Sequence, residues 1–191
     1  MKNFNNISIF ENPQKAFEAY DKIFTVREGY ENFFTQQIQK KGVIAPAFFT
    51  LGNDYASAFL EAATRTGDKT FYISTTERVV PGPNDWLVPL DIDSLREYET
   101  YDGIYHNVDN AIYSPTGKWG IWFSNDLYAL IGGSTEFVDA FYSYVGKTID
   151  EMMIVFIKSV QNTNHVLDEF LPRMFGEDQA VLYRRLYEES L

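Results

Sequence analysis

Two histidines, 27 carboxylates and no cysteine bound the chemistry open to this chain of 191 residues. Without cysteine there is no disulfide, no thiolate ligand for zinc or an iron–sulfur cluster, and no thiol nucleophile. The best metal-ligand spacing is His165 with Asp168 and Glu169, i to i+3 and i+4 on an expected helix. It lacks the His-Glu-x-x-His pattern and reads as a histidine at a helix start with solvated carboxylates. His106 and Asp109 are three apart on an expected strand and loop, so they fall on opposite faces. Neither a metal nor a cofactor is expected. Gly146-Lys147-Thr148 ends like a phosphate-binding loop, but Phe141 stands where the first glycine of such a loop belongs. A helix-ending Gly146 and a helix-capping Thr148 explain that tripeptide. Gly132, Gly133 and Ser134, between an expected strand and helix, could offer backbone N–H groups to an anion. Ser134 is not set in Gly-x-Ser-x-Gly, and a helix cap accounts for it. The pairs Asp91/Asp93 and Glu97/Glu99 could do acid–base work, but nothing in the sequence marks either as buried. No catalytic constellation emerges.

The elements that would position these residues follow from periodicity and caps. Residues 13–41 read as helical, with Asn12 as cap and Pro13 at the first turn. Within them a second stretch covers Glu31–Lys41 and stops at Gly42. A third helix begins near Asn53 and ends at Gly67. Thr70–Thr75, Trp86–Leu90 and Ile104–Val108 read as strands, and Ser94–Tyr98 as a helical turn. Asn110–Tyr113, Lys118–Ser124 and Leu127–Ile131 form an expected antiparallel meander, its first turn being Ser114-Pro115-Thr116-Gly117 of type I. Helices are expected at Thr135–Val145, from the Thr148/Glu151 capping box to about Val160, at His165–Met174 with a break near Pro172, and at Gln179–Glu189. The expectation is a single α+β domain over 1–191: a helical part over 1–66, a mostly antiparallel sheet over 70–131, and helices over 134–191.

Charge is unevenly spread. The chain carries a formal charge of −11, yet residues 1–76 are balanced. Residues 77–139 hold eleven acidic side chains against Arg78, Arg96 and Lys118. Such a balance argues against nucleic acid as a partner, because phosphates need Lys and Arg. It suits a basic protein, whose approach a complementary field accelerates. Tyr101, Tyr105 and Trp122 fall in the same acidic stretch, and exposed aromatics anchor binding surfaces. The expected partner face therefore comprises Asp91, Asp93, Glu97, Glu99, Tyr101, Asp102, Tyr105 and Trp122. The longest apolar run, Met152–Ile157, is far short of a membrane span, and the N-terminus lacks a secretory signal. The expected location is the cytoplasm.

The stretch Ala111–Phe141 resembles part of small, acidic bacterial proteins of the toxin-immunity type. Ser114, Pro115, Gly117, Lys118, Trp119 and Gly120 match their hairpin, and Gly132, Gly133, Ser134 and Phe137 match their strand–helix junction. The resemblance implies a protein that binds and blocks a cognate toxin, with no catalytic residue to carry over. The leading expectation is thus a non-enzymatic binding protein. The alternatives are an enzyme that binds a small molecule or anion at Gly132–Ser134, and a structural or adaptor homodimer.

Overall fold

The computed structural model describes residues 8–9, 13–25, 33–47, 50–75, 86–99, 110–124, 127–160 and 162–191. Among these residues seven antiparallel strands form one sheet in the order β1-β4-β3-β5-β6-β7-β2. They are β1 (Ser8–Ile9), β2 (Lys40–Ile44), β3 (Thr70–Thr75), β4 (Trp86–Pro89), β5 (Asn110–Tyr113), β6 (Trp119–Phe123) and β7 (Ala129–Gly133). With α1 (Pro13–Ile23), α2 (Gly52–Arg65), α3 (Ile92–Glu99), α4 (Thr135–Val145), α5 (Ile149–Ser159) and α8 (Glu177–Glu189), the class is α+β.

The meander β5–β6–β7 stands where the turn chemistry puts it. Gly117 N–H donates to Ser114 O at 3.0 Å, and Gly117 takes the positive φ of 77° that only glycine adopts cheaply. Every residue of β6 is buried, because both faces of the sheet are covered. On one face Trp119 stacks on Phe137 of α4 at 5.0 Å and meets Phe59 of α2 edge-on. On the other, Ile23 and Phe24 at the end of α1 press onto Gly120; a Cβ there would sit 2.5 Å from the Phe24 ring. A large-to-small change in such a core costs about 3–5 kcal/mol for an aromatic.

The N-terminal third departs from expectation. The helix ends at Ile23, and Lys40–Ile44 is an edge strand rather than the end of a helix. Phe34 and Ile38 are spaced as on a helix, yet both are buried in the approach to β2. Gly42, read as a helix stop, lies mid-strand, where a Cβ would collide with the Tyr142 hydroxyl. Residues 1–66 are therefore not all helical; they supply β1 and β2, one strand at each end of the sheet. The outer edge of β2 is covered instead of left open. Tyr142 O–H donates to Val43 O at 2.6 Å, and Ala45 N–H points at Met152 Sδ at 3.4 Å.

The third helix starts at Gly52, with Leu51 as a cap that makes no side-chain bond, so Asn53 is not the cap. Thr148 and Glu151 form the expected capping box, and Gly146 ends α4 at φ 71°. Near the C-terminus, α6 (Thr163–His165) and α7 (Leu171–Phe175) are joined by a π-helical turn over Val166–Phe170. There Leu171 N–H reaches back to Val166 O. That wider turn lets the chain stay helical past Pro172, which has no N–H to offer. The expected strand Ile104–Val108 lies outside the described residues.

Candidate functional site

The acidic residues of the expected partner face divide into several groups. Asp91 caps α3: its Oδ1 accepts from Ser94 N–H at 2.8 Å and its Oδ2 from the Ser94 hydroxyl at 2.9 Å. Buried Leu95 pins α3 inward, and α3 packs on α2 and β4. Asp93 is exposed and Glu97 half-buried, with Arg96 exposed between them in sequence. Glu99 is the last residue of α3. Tyr101, Asp102 and Tyr105 lie outside the described residues. Trp122 does not belong to an exposed face. It is only 5% exposed and packs on Phe33 at 4.7 Å. Alternation does turn it away from Trp119, but that second face of the sheet is also covered.

The Gly132–Ser134 junction is closed to an anion. Gly132 lies under the Phe34 ring and Gly133 against Trp119 and Phe137, each leaving less than 3 Å for a Cβ. Ser134 N–H donates to Lys118 O, Ser134 Oγ accepts from Phe137 N–H, and Thr135 N–H donates to Gln39 Oε1. The chain itself takes up the donors that a ligand would need. The glycines serve close packing and the serine caps α4.

Asp68, 8% exposed, is a buried carboxylate with a structural task. Its Oδ2 accepts from Ser114 Oγ at 2.7 Å, Trp119 Nε1 at 2.9 Å and Thr66 Oγ1 at 3.1 Å, and its Oδ1 from Thr116 Oγ1 at 3.2 Å. Lys118 Nζ donates to the neighbouring Thr66 O at 2.6 Å. The hairpin residues that carry the sequence resemblance are thus tied to the end of α2. Four donors on one carboxylate leave it well compensated.

His165, Asp168 and Glu169 do not converge. Asp168 pairs with Arg184 at 2.5 Å, while Glu169 faces His165 at 3.4 Å and Arg173 at 3.6 Å. Among the described residues no group of three His, Asp or Glu side chains could hold a metal ion.

A concave feature lies at the other end of the sheet from α3. A cleft of about 1060 Å³ opens between the start of β2, the α4–α5 turn and the α7–α8 turn. Its wall carries Lys40, Lys41, Lys147 and Arg173 against Asp139 and Asp150. Lys40 pairs with Asp139. Lys41 is half-buried, which lowers its pKa, and among the described residues its ammonium reaches only Met174 O, at 3.4 Å. Burial raises the Tyr142 phenol well above its ordinary pKa and pushes Tyr183 up to about 12. Both therefore stay protonated donors at neutral pH. In the sequence Lys40-Lys41 is an isolated pair and Lys147 part of a cap; only the fold brings them to one cleft.

No known protein family, curated protein or solved structure matches this chain. No helix among the described residues is long and apolar enough to cross a membrane.

Proposed function

We propose that the chain is a non-enzymatic binding protein of the toxin-immunity type, acting in the cytoplasm, whose acidic flank blocks a basic partner such as a nuclease toxin. The observation that carries this reading is the charge asymmetry: eleven acidic against three basic side chains over residues 77–139, of which Asp139 pairs with Lys40 in the cleft and Asp91 caps α3. Exposed Asp93 and half-buried Glu97 on α3 support it, since they lie on a short helix packed near one end of the sheet. Buried Asp68 supports it in another way, because its bonds are structural and leave no free carboxylate for acid–base work there. The aromatic part of the face rests on Tyr101 and Tyr105, without Trp122.

The first experiment is affinity capture from lysate at low and high salt, followed by mass spectrometry. A stoichiometric basic protein, lost at high salt, supports the reading and identifies the partner. With that partner, Asp93→Asn/Glu97→Gln should slow association roughly 3–10-fold at low salt and flatten its salt dependence. Asp91 is left intact because it caps α3. An association rate unchanged by the double substitution would remove this flank from the interface. A second reading, an anionic small ligand, is favoured by the basic cleft.

A further inference from the structure

We infer that the cleft between β2, the α4–α5 turn and the α7–α8 turn is a binding site for a small organic phosphate monoester. The inference is independent of the partner reading, since the cleft and α3 lie toward opposite ends of the sheet.

The argument begins with charge in a place where charge is costly. The wall has four cationic and two anionic side chains, a local excess of two positive charges in a chain of net −11. Lys40 is matched by Asp139, and Arg173 shares Glu169 with His165. Lys41 and Lys147 form no ion pair among the described residues. Lys41 matters most. Half-burial lowers its pKa, so the fold bears the desolvation of an ammonium that no carboxylate among the described residues repays. Its one hydrogen bond, to Met174 O, is long at 3.4 Å. An anion seated beside Lys41 would compensate it, and a phosphate dianion would balance the local excess.

Backbone geometry adds to this. The Thr148/Glu151 capping box satisfies the N–H groups of both those residues. It leaves those of Ile149 and Asp150, which also line the cleft, without a capping side chain. Helix N-termini favour phosphate for this reason. The Asp150 carboxylate opposes an anion and sets the side from which one can approach. The volume, about 1060 Å³, is far more than a bare phosphate fills. Ile38, Met174 and Phe175 supply apolar wall for an organic body. The site therefore takes a phosphate monoester with a sizeable organic group.

The test is isothermal titration of the full chain with adenosine 5′-monophosphate, glucose 6-phosphate and O-phosphoserine. Each is paired with its dephosphorylated counterpart, with inorganic phosphate and succinate as further arms. The expected result is binding of at least one monoester, at least tenfold tighter than its counterpart, inorganic phosphate or succinate. Lys147→Gln and Lys41→Met should each weaken it about tenfold or more, while Lys69→Gln, an exposed lysine outside the cleft, should not. Circular dichroism and melting of each variant confirm folding, and exposed Lys147 provides a variant that does not disturb the core. No monoester binding at millimolar concentration would overturn the inference. So would equal binding of inorganic phosphate or succinate, or affinity indifferent to both lysine substitutions.

Discussion

Asp68 and Lys41 are two charges drawn out of water, and the fold treats them in opposite ways. Asp68 sits under the β5–β6 hairpin with four donors, from Thr66, Ser114, Thr116 and Trp119. Lys41 sits in the β2 cleft with, among the described residues, a single long contact to a carbonyl. The first charge is fully used inside the protein and acts as a tie between hairpin and helix. The second is supported by the backbone but not compensated, which leaves its field for something that enters. Burial alone does not identify a functional charge; the count of partners does.

Substitutions at the two places should separate the roles, and the largest effect belongs to Asp68. Asp68→Ala takes the carboxylate acceptor from the buried Trp119 indole N–H and the buried Ser114 hydroxyl and should cost about 3–5 kcal/mol in urea unfolding. A cost under about 1 kcal/mol would mean that the hairpin is held by packing alone.

Next comes alkaline stability at the cleft. Burial raises the Tyr183 phenol from 10.0 to about 12, so the folded state retains a proton that the unfolded state loses first. Stability from this group is complete below pH 10 and is lost as pH rises toward 12. Tyr183→Phe should flatten the fall in stability over that window, as measured by denaturation against pH; an unaltered slope would mean that the phenol is hydrated in the fold.

A smaller effect, of the opposite sign to that at Asp68, is expected at Lys41. Lys41→Met removes a desolvated charge while keeping an apolar stem of similar length. Stability should be unchanged or higher by about 1 kcal/mol. Smallest of all, Asp93→Asn/Glu97→Gln should shift stability by less than about 0.5 kcal/mol, since these side chains lie at the surface. Its effect belongs to association rate, and a large loss of stability would give α3 a structural role instead.

The two regions also differ in how far the sequence announces them. The hairpin, Gly117 and the caps at Ser134 and Thr148 are legible because each is a local device within four residues. The helix α4 and the capping box of α5 follow for the same reason. The strand β2 is not legible: Phe34 and Ile38 mimic a helical stripe, and Lys40-Lys41-Gly42 looks like a helix end. Its strand character comes from pairing with β7, about 90 residues away, and from the Tyr142 ring that needs Gly42 beneath it. Trp122 is misplaced by sequence because alternation gives its face but not what covers that face. The bonds of Asp68 to the hairpin span 46 to 51 residues, and the lysines of the cleft come from segments on either side of the meander. Neither cluster has a motif. The acidic flank is the reverse case, visible in composition alone.

The two candidate surfaces lie at separate ends of the sheet. From β4, on which α3 packs, to β2 there are five strand spacings, roughly 24 Å. α3 and the cleft share no residue.

The most direct test of the contrast is urea unfolding of wild type, Asp68→Asn and Lys41→Met. Each is measured with and without whichever of the three phosphate monoesters binds the wild type most tightly. The account predicts that the monoester stabilises wild type and Asp68→Asn by the same amount, although the latter starts from a lower stability, and that Lys41→Met gains little. Equal stabilisation of Lys41→Met, or none of the wild type by any of the three, would contradict it.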